Sequence, residues 1–315
     1  MNTPIKVGVS SCLCGNPVRH DGSAKKNAYL LDTLGRYFEL TPYCPEAGAG
    51  LGVPRPTLRL KRFEYEVRLV ETKDQDADHT AEMDAWMDAN IPEMAGLTGY
   101  VLKHSSPSCG MQRVKLYDHN NIPKKEASGL FAARLMATYP NLPVEEEGRL
   151  NDPILRENFI QRVFVYHRWQ QTLADGLSVA SLMEFHKRHK LMLLAHDEVV
   201  YRKLGPMIAS VNKDNLDDIA DIYIARMMHS LTQRSTRKRH TNVLMHIFGF
   251  LKNKLGSEVK AEILDILDRY RQGFVPLVVP MTMIRHYLKQ YPHSYMDSQY
   301  YLEPYPDDLM LRNEV

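Results

Sequence analysis

The stretch IKVGVSSCLCG (Ile5–Gly15) decides the fold class. Its apolar residues run up to a turn of small residues, the pattern of a short buried strand that ends in a loop. Two cysteines one residue apart open that loop. Downstream, Lys25 to Phe38 has helical spacing, with Leu30, Leu31, Leu34 and Phe38 on one stripe. FELTPYC reads as a second strand that runs into CPEAGAGLGVPRP, a Gly and Pro loop that can continue neither helix nor strand for long. YEVRLV alternates as a third strand, TAEMDAWMDANIPEM is helical, and GYVLKHSSPSCG is a strand ending in a loop. The order strand, helix, strand, strand, helix, strand predicts an α/β domain with a mostly parallel sheet in Rossmann-like layers.

Beyond about Leu173 the pattern changes. SLMEFHKRHKLMLLAH, DIADIYIARMMHSLTQ, HTNVLMHIFGFLKNKL and KAEILDILDRYRQG repeat apolar residues three and four apart, as amphipathic helices do. The chain is therefore expected to comprise an α/β domain over residues 1–170 and an all-α domain over 171–315. The boundary is placed near RWQQTLADGLSVAS, where Gly176 and Ser178 interrupt the helical pattern.

With 40 basic and 38 acidic residues among 315, no global field draws in nucleic acid or a membrane. No apolar run approaches the roughly 20 residues that cross a bilayer, and MNTPIKVGVSS lacks the apolar core of a secretory signal, so a cytoplasmic protein is expected. All four cysteines, Cys12, Cys14, Cys44 and Cys109, lie in the first 110 residues. In a reducing compartment such clustering points to metal or redox chemistry rather than to disulfides.

Cys12, Cys44 and Cys109 each follow a predicted strand, and in open α/β sheets ligands bind beyond the C-terminal strand ends. Three thiolates converging there form a soft donor set suited to zinc, copper(I) or an iron–sulfur cluster. The paired C-x-x-C spacing of structural zinc is absent. A [4Fe-4S] cluster takes one cysteine per iron, so three cysteines would leave one iron open for a substrate atom. Glu46, two positions after Cys44, is a candidate general base, and Ser106 and Ser108 stand just before Cys109.

The segments VGVSSCLCGNPVRHDG, YCPEAGAGLGVPRP and LKHSSPSCG resemble the three signature segments of the TudS-like thiouracil desulfidases, and GRLNDPILRENFIQRVF resembles the end of that domain. The helical part, through FHKRHKLMLLAH, RKRHTNVLMHIFGF and YRQGFVPLVVPMTMIRHYL, is similar to the YbgA-like domain. The resemblance implies a [4Fe-4S] cluster held by Cys12, Cys44 and Cys109, with the substrate sulfur on the open iron and Glu46 and Ser106 as catalytic side chains. The implied reaction is a non-redox desulfuration of 4-thiouridine 5′-monophosphate, or a related thiouracil, to UMP and hydrogen sulfide. Where the family has a leucine in a CLLG segment, this chain has Cys14, read as a spare thiol.

A nucleotide needs cations for its phosphate. Arg19 and then Lys25 are the candidates, with Asp21 orienting their loop or a ribose hydroxyl and Lys103 leading into the third cysteine loop. The basic run Arg234, Arg237, Lys238 and Arg239 suggests a second reading, an RNA-binding protein with a structural or redox-sensing cluster, and a third, desulfuration of thiolated tRNA. His186 and His189 share one helical face but have no nearby Cys or carboxylate to complete a metal site.

Overall fold

The structure, a computed structural model, describes residues 4–64 and 66–313. The chain divides into two compact units, Met1–Asn151 and Asp152–Val315. The first is α/β and the second helical.

In the first unit, β1 (Lys6–Ser10), β2 (Glu39–Tyr43), β5 (Gly99–Leu102) and β8 (Val144–Glu146) form a parallel sheet in the order β2-β1-β5-β8. Strand order reverses at β1, which has the earlier β2 on one side and the later β5 on the other. Such a switch point opens a crevice beyond the C-terminal strand ends. Gly8 of β1 leaves room for the ring of Tyr100, its partner on β5: a Cβ there would stand 2.3 Å from that ring.

A second sheet, in the order β4-β3-β6-β7, comprises β3 (Leu58–Phe63), β4 (Glu66–Glu71), β6 (Val114–Tyr117) and β7 (Pro123–Ala127). Here the sequence reading is corrected. The strand read in YEVRLV, whose Tyr65 lies outside the described residues, is β4, and it pairs antiparallel with β3 rather than joining the parallel sheet. The alternation in LRLKRF, β3 itself, is a strand signal in its own right. The helix expected over Lys25 to Phe38 is shorter, a π turn at Tyr29–Thr33 followed by a 3-10 turn at Leu34–Arg36. It starts later than Lys25 because Asn27 caps it, its side chain accepting the Leu30 N–H three residues on. Three α-helices complete the unit: α1 (Pro45–Gly48), α2 (Thr80–Asn90) and α3 (Leu130–Thr138).

The second unit begins with α4 (Pro153–Ala174). Asp152 caps its N-terminus by accepting from the N–H groups of Ile154 and Leu155, and Pro153 occupies the first helical position. The boundary read at residue 170 thus falls inside a continuous helix. Gly176, at φ 95°, and Ser178 do interrupt the pattern, but as the turn between α4 and α5 (Val179–His196), which Ser178 caps. Next come α6 (Glu198–Ala209), α7 (Leu216–Leu231), α8 (Arg237–Leu251), α9 (Ser257–Gln272) and α10 (Val278–Gln290). Their apolar stripes meet in one core that includes Trp169, Phe185, Tyr223 and Tyr270. Among the described residues no helix is long and apolar enough to cross a membrane.

Candidate active site

Cys12 sits in the 3-10 turn Ser11–Cys14 directly after β1, Cys44 follows β2, and Cys109 lies in the loop between β5 and β6. Since those three strands are adjacent and parallel, their loops emerge at one edge. All three thiols line a single cavity of about 380 Å³. Cys14 is not among its lining residues. The turn that carries both cysteines ends at Gly15 in the left-handed region, φ 91°.

The thiols sense one another. Burial and the neighbouring Cys44 push the Cys12 thiol up to about 11. Burial raises Cys44, opposed by the Ala47 N–H that its sulfur accepts at 3.5 Å as N-cap of α1. Burial and Glu46 raise Cys109 well above the ordinary thiol value. A cation bound among them would reverse these shifts, because it stabilises the thiolate form.

Glu46, in the first turn of α1, is held from both sides. Arg55 donates from Nε to its Oε2 at 2.9 Å, and the Ser108 hydroxyl donates to Oε1 at 2.8 Å. Ser106 stands farther from the same oxygen, at 3.5 Å. The Ser106 Oγ also accepts the N–H groups of Ser108 at 3.2 Å and Cys109 at 3.0 Å, so it shapes the turn that presents Cys109. Arg55 further donates to the Val18 and Gly52 carbonyls, tying the loops after β1 and β2 together.

Of the other predicted residues, Arg19 and Lys103 line the cavity, whereas Asp21 and Lys25 do not. Arg19 donates to Ser23 Oγ at 2.8 Å and lies 3.7 Å from Asp21. Asp21 accepts from the Ser23 backbone and hydroxyl, which orders this loop; those bonds hold its carboxyl down at about 2. Lys25 contributes its backbone N–H, which meets the Cys12 carbonyl at 2.9 Å. Lys103 is engaged by Glu147, which also accepts the His104 N–H at 2.8 Å and lies 2.6 Å from His104 Nδ1. Burial pushes the Glu147 carboxyl up, but these bonds outweigh it and leave it below the usual range.

Sequence reasoning missed Arg55, Ser108 as a direct partner of Glu46, and the acidic end of β8. Glu145, Glu146 and Glu147 are all buried: Glu145 pairs with Arg149 four residues on, whereas Glu146 accepts the Met111 N–H and Glu147 engages Lys103 and His104 from distant loops. A VEEEG run read alone has the look of a solvated turn.

The residues fit a cluster. No group of three His, Cys, Asp or Glu among the described residues has the compact spacing that holds a single ion. A cubane with one cysteine per iron does not need that spacing. The three cavity thiols are soft donors of the kind such a cluster takes. In the basic run of the second unit, Arg239 donates to the His196 and Arg234 carbonyls, which makes it a helix-end clamp.

Fold and site together define an α/β unit with a three-thiol, carboxylate-bearing pocket at its switch point, joined in one chain to an all-helical unit. A family model described as 2-thiouracil desulfurase matches residues 7–147, and one described as a protein of unknown function, DUF1722, matches residues 190–306. The uncharacterized protein YbgA of Escherichia coli (strain K12) is 35% identical over 153 residues, covering 48% of this chain and 90% of that protein. A solved structure described as the [4Fe-4S]-dependent thiouracil desulfidase TudS is 30% identical and covers 47% of this chain and 93% of its own, with a TM-score of 0.39. The chain belongs to the YbgA-like DUF1722 family, and its first unit, over residues 7–147, resembles the 2-thiouracil desulfurase family.

Proposed function

We propose that the first unit is a [4Fe-4S]-dependent, non-redox desulfidase that converts 4-thiouridine 5′-monophosphate, or a related thiouracil, to UMP or uracil and hydrogen sulfide. The observation that carries this reading is the convergence of Cys12, Cys44 and Cys109 on the cavity where Glu46 is clamped. Those three cysteines would hold the cluster, which when bound supplies a Lewis acid and a soft acceptor for sulfur.

The chain's own residues then account for the water and the protons. Arg55 fixes one Glu46 oxygen and leaves the other facing Ser106 and Ser108, so the carboxylate can take a proton from a water aimed at the thiocarbonyl carbon. Because the Ser106 oxygen accepts two backbone N–H groups, its own proton points away from them. That proton would pass between Glu46 and the departing sulfur. Carbon exchanges C=S for C=O, one water is consumed and hydrogen sulfide leaves, with no change in oxidation state. Arg19 and Lys103 line the cavity together with Arg55, which is committed to Glu46, so the first two would be the cations nearest the substrate.

The test is anaerobic reconstitution with iron and sulfide, followed by loss of the 4-thio-UMP absorbance with and without the cluster. Cluster-dependent release of UMP and sulfide without added reductant is expected. A fully loaded protein that turns over neither 4-thio-UMP nor 4-thiouracil overturns the reading.

A further inference from the structure

A second cavity of about 570 Å³ shares Leu58, Ser105 and Pro107 with the thiol cavity. Its walls carry five cations, Arg59, Arg113, Lys115, Lys125 and Arg149, against a single carboxylate, Glu146. Arg149 is paired with Glu145, and one Glu146 oxygen is taken by the Met111 N–H. Among the described residues the other four cations have no ion-pair partner, and the buried Nε of Arg59 has no hydrogen-bond partner.

Three of these cations form a row across the second sheet. Lys115 and Lys125 stand directly opposite each other in the β6–β7 register, and Arg59 precedes the Leu60–Leu116 pair of β3 and β6 by one residue. Adjacent strands are about 4.8 Å apart, and like charges facing each other across strands destabilise a sheet. An anion seated on the row removes that repulsion. The Arg59 guanidinium is pre-oriented for it, resting 4.7 Å over the Tyr117 ring and donating to Asn121 Oδ1 at 3.0 Å. A planar fork held this way suits a phosphate oxygen pair. Arg19, by contrast, is already engaged by Ser23 and Asp21.

We propose that this second cavity is a phosphate-binding subsite that receives the phosphate of a substrate whose thiolated base enters the neighbouring thiol cavity. This rests on the desulfidase reading for the identity of the base but not for the anion itself. The wall between the cavities turns sharply at Ser105, φ 59°, a backbone conformation uncommon outside glycine. The shared chemistry is a phosphate oxyanion, contributed by a mononucleotide or by the backbone of a polynucleotide.

The experiment measures binding of UMP, uridine and a short oligouridylate to the full chain by calorimetry, in the wild type, in Lys115→Gln/Lys125→Gln and in Arg59→Gln. Wild type is expected to prefer UMP to uridine by about tenfold or more, and both variants are expected to lose that preference. A preference shown only by the oligouridylate and lost in the variants supports the same site with a polynucleotide as the source. Melting of the lysine double variant should be unchanged or raised, since a repulsion is removed. Phosphate-dependent affinity that is absent from wild type, or that survives both variants, overturns the proposal. Turnover of 4-thio-UMP and of free 4-thiouracil by the cluster-loaded protein separates the two readings: the absence of both removes the desulfidase while leaving the phosphate site standing.

Discussion

Arg55 and Glu46 meet as a buried ion pair, their side chains 4% and 14% exposed, with the guanidinium Nε 2.9 Å from Oε2. The same guanidinium holds the Val18 and Gly52 carbonyls, so it orients the carboxylate and the two loops beside it at once. Removing one partner of a buried pair costs about 3–5 kcal/mol. Arg55→Ala is therefore expected to lower kcat by about 100-fold through misplacement of Glu46. Arg55→Lys keeps the charge but not the fork and should recover only part. Iron content and the visible spectrum are the controls, because a positioning residue should leave them unchanged. Full kcat in Arg55→Ala with a normal spectrum would remove the clamp from the mechanism.

Cys14 separates the ligand set from a spare thiol. Serine at Cys12, Cys44 or Cys109 should each abolish the broad visible absorbance of the reconstituted protein and its stoichiometric iron. Cys14→Ser should retain both, since Cys14 stands outside the lining of the cavity. Loss of iron in Cys14→Ser alone would make it a ligand and close the open position that the proposed chemistry needs.

Gly129, just before α3, supports the Cys109 loop by being small. A Cβ there would stand 2.4 Å from the Ser108 carbonyl oxygen and 2.9 Å from the Cys109 nitrogen. These are backbone atoms with no rotamer to yield. Gly129→Ala should therefore destabilise the protein by about 1–3 kcal/mol and loosen the cluster. Gly96, where an added Cβ meets nothing within 4 Å, is the matched control. Thermal melting and the rate of iron loss to a chelator read both effects. Equal behaviour of the two alanine variants would show that the loop can shift after all.

How far the sequence carries depends on where each signal resides. The cysteine loops were legible because a buried strand running into Gly and Pro is a local pattern, and parallel neighbours β2, β1 and β5 then bring Cys44, Cys12 and Cys109 to one edge. The helices α5, α7, α8 and α9 were legible from their apolar stripes. What stayed hidden depends on distant partners. The strand β8 is three residues, Val-Glu-Glu, whose buried Glu146 is satisfied by the distant Met111 N–H. Arg55 lies in a Pro-rich segment and acquires meaning only when Glu46 arrives beside it. The second sheet escaped because β6 and β7 are short and carry lysines, which individually favour neither strand nor burial.

The helical unit should weaken on mild acidification because it buries neutral histidines. Burial holds His186 and His196 down to about 4, and lowers His189 and His240 well below the ordinary value. Their partners are largely neutral. His196 lies 2.7 Å from the Gln233 carbonyl and 2.6 Å from the Gln161 amide oxygen, and His240 lies 2.9 Å from the Tyr301 hydroxyl. The cations Arg162, Arg239 and Arg312 around His196 further oppose a positive ring. Between about pH 6.5 and pH 4 the unfolded chain binds protons that the folded unit refuses, so the stabilisation present above 6.5 is lost as pH falls. For His186 and His196 the full effect is on the order of 3 kcal/mol each. The buried Glu157 works the other way: burial raises its carboxyl against Arg312 and Tyr305, so its contribution falls as pH rises above the unfolded value. The histidines outnumber it. Denaturant midpoints of the full chain, read by helical circular dichroism, should drop steadily from pH 7 to pH 5, and His196→Gln should flatten that slope. A midpoint constant over this range would mean that the rings charge without cost, contrary to their enclosure.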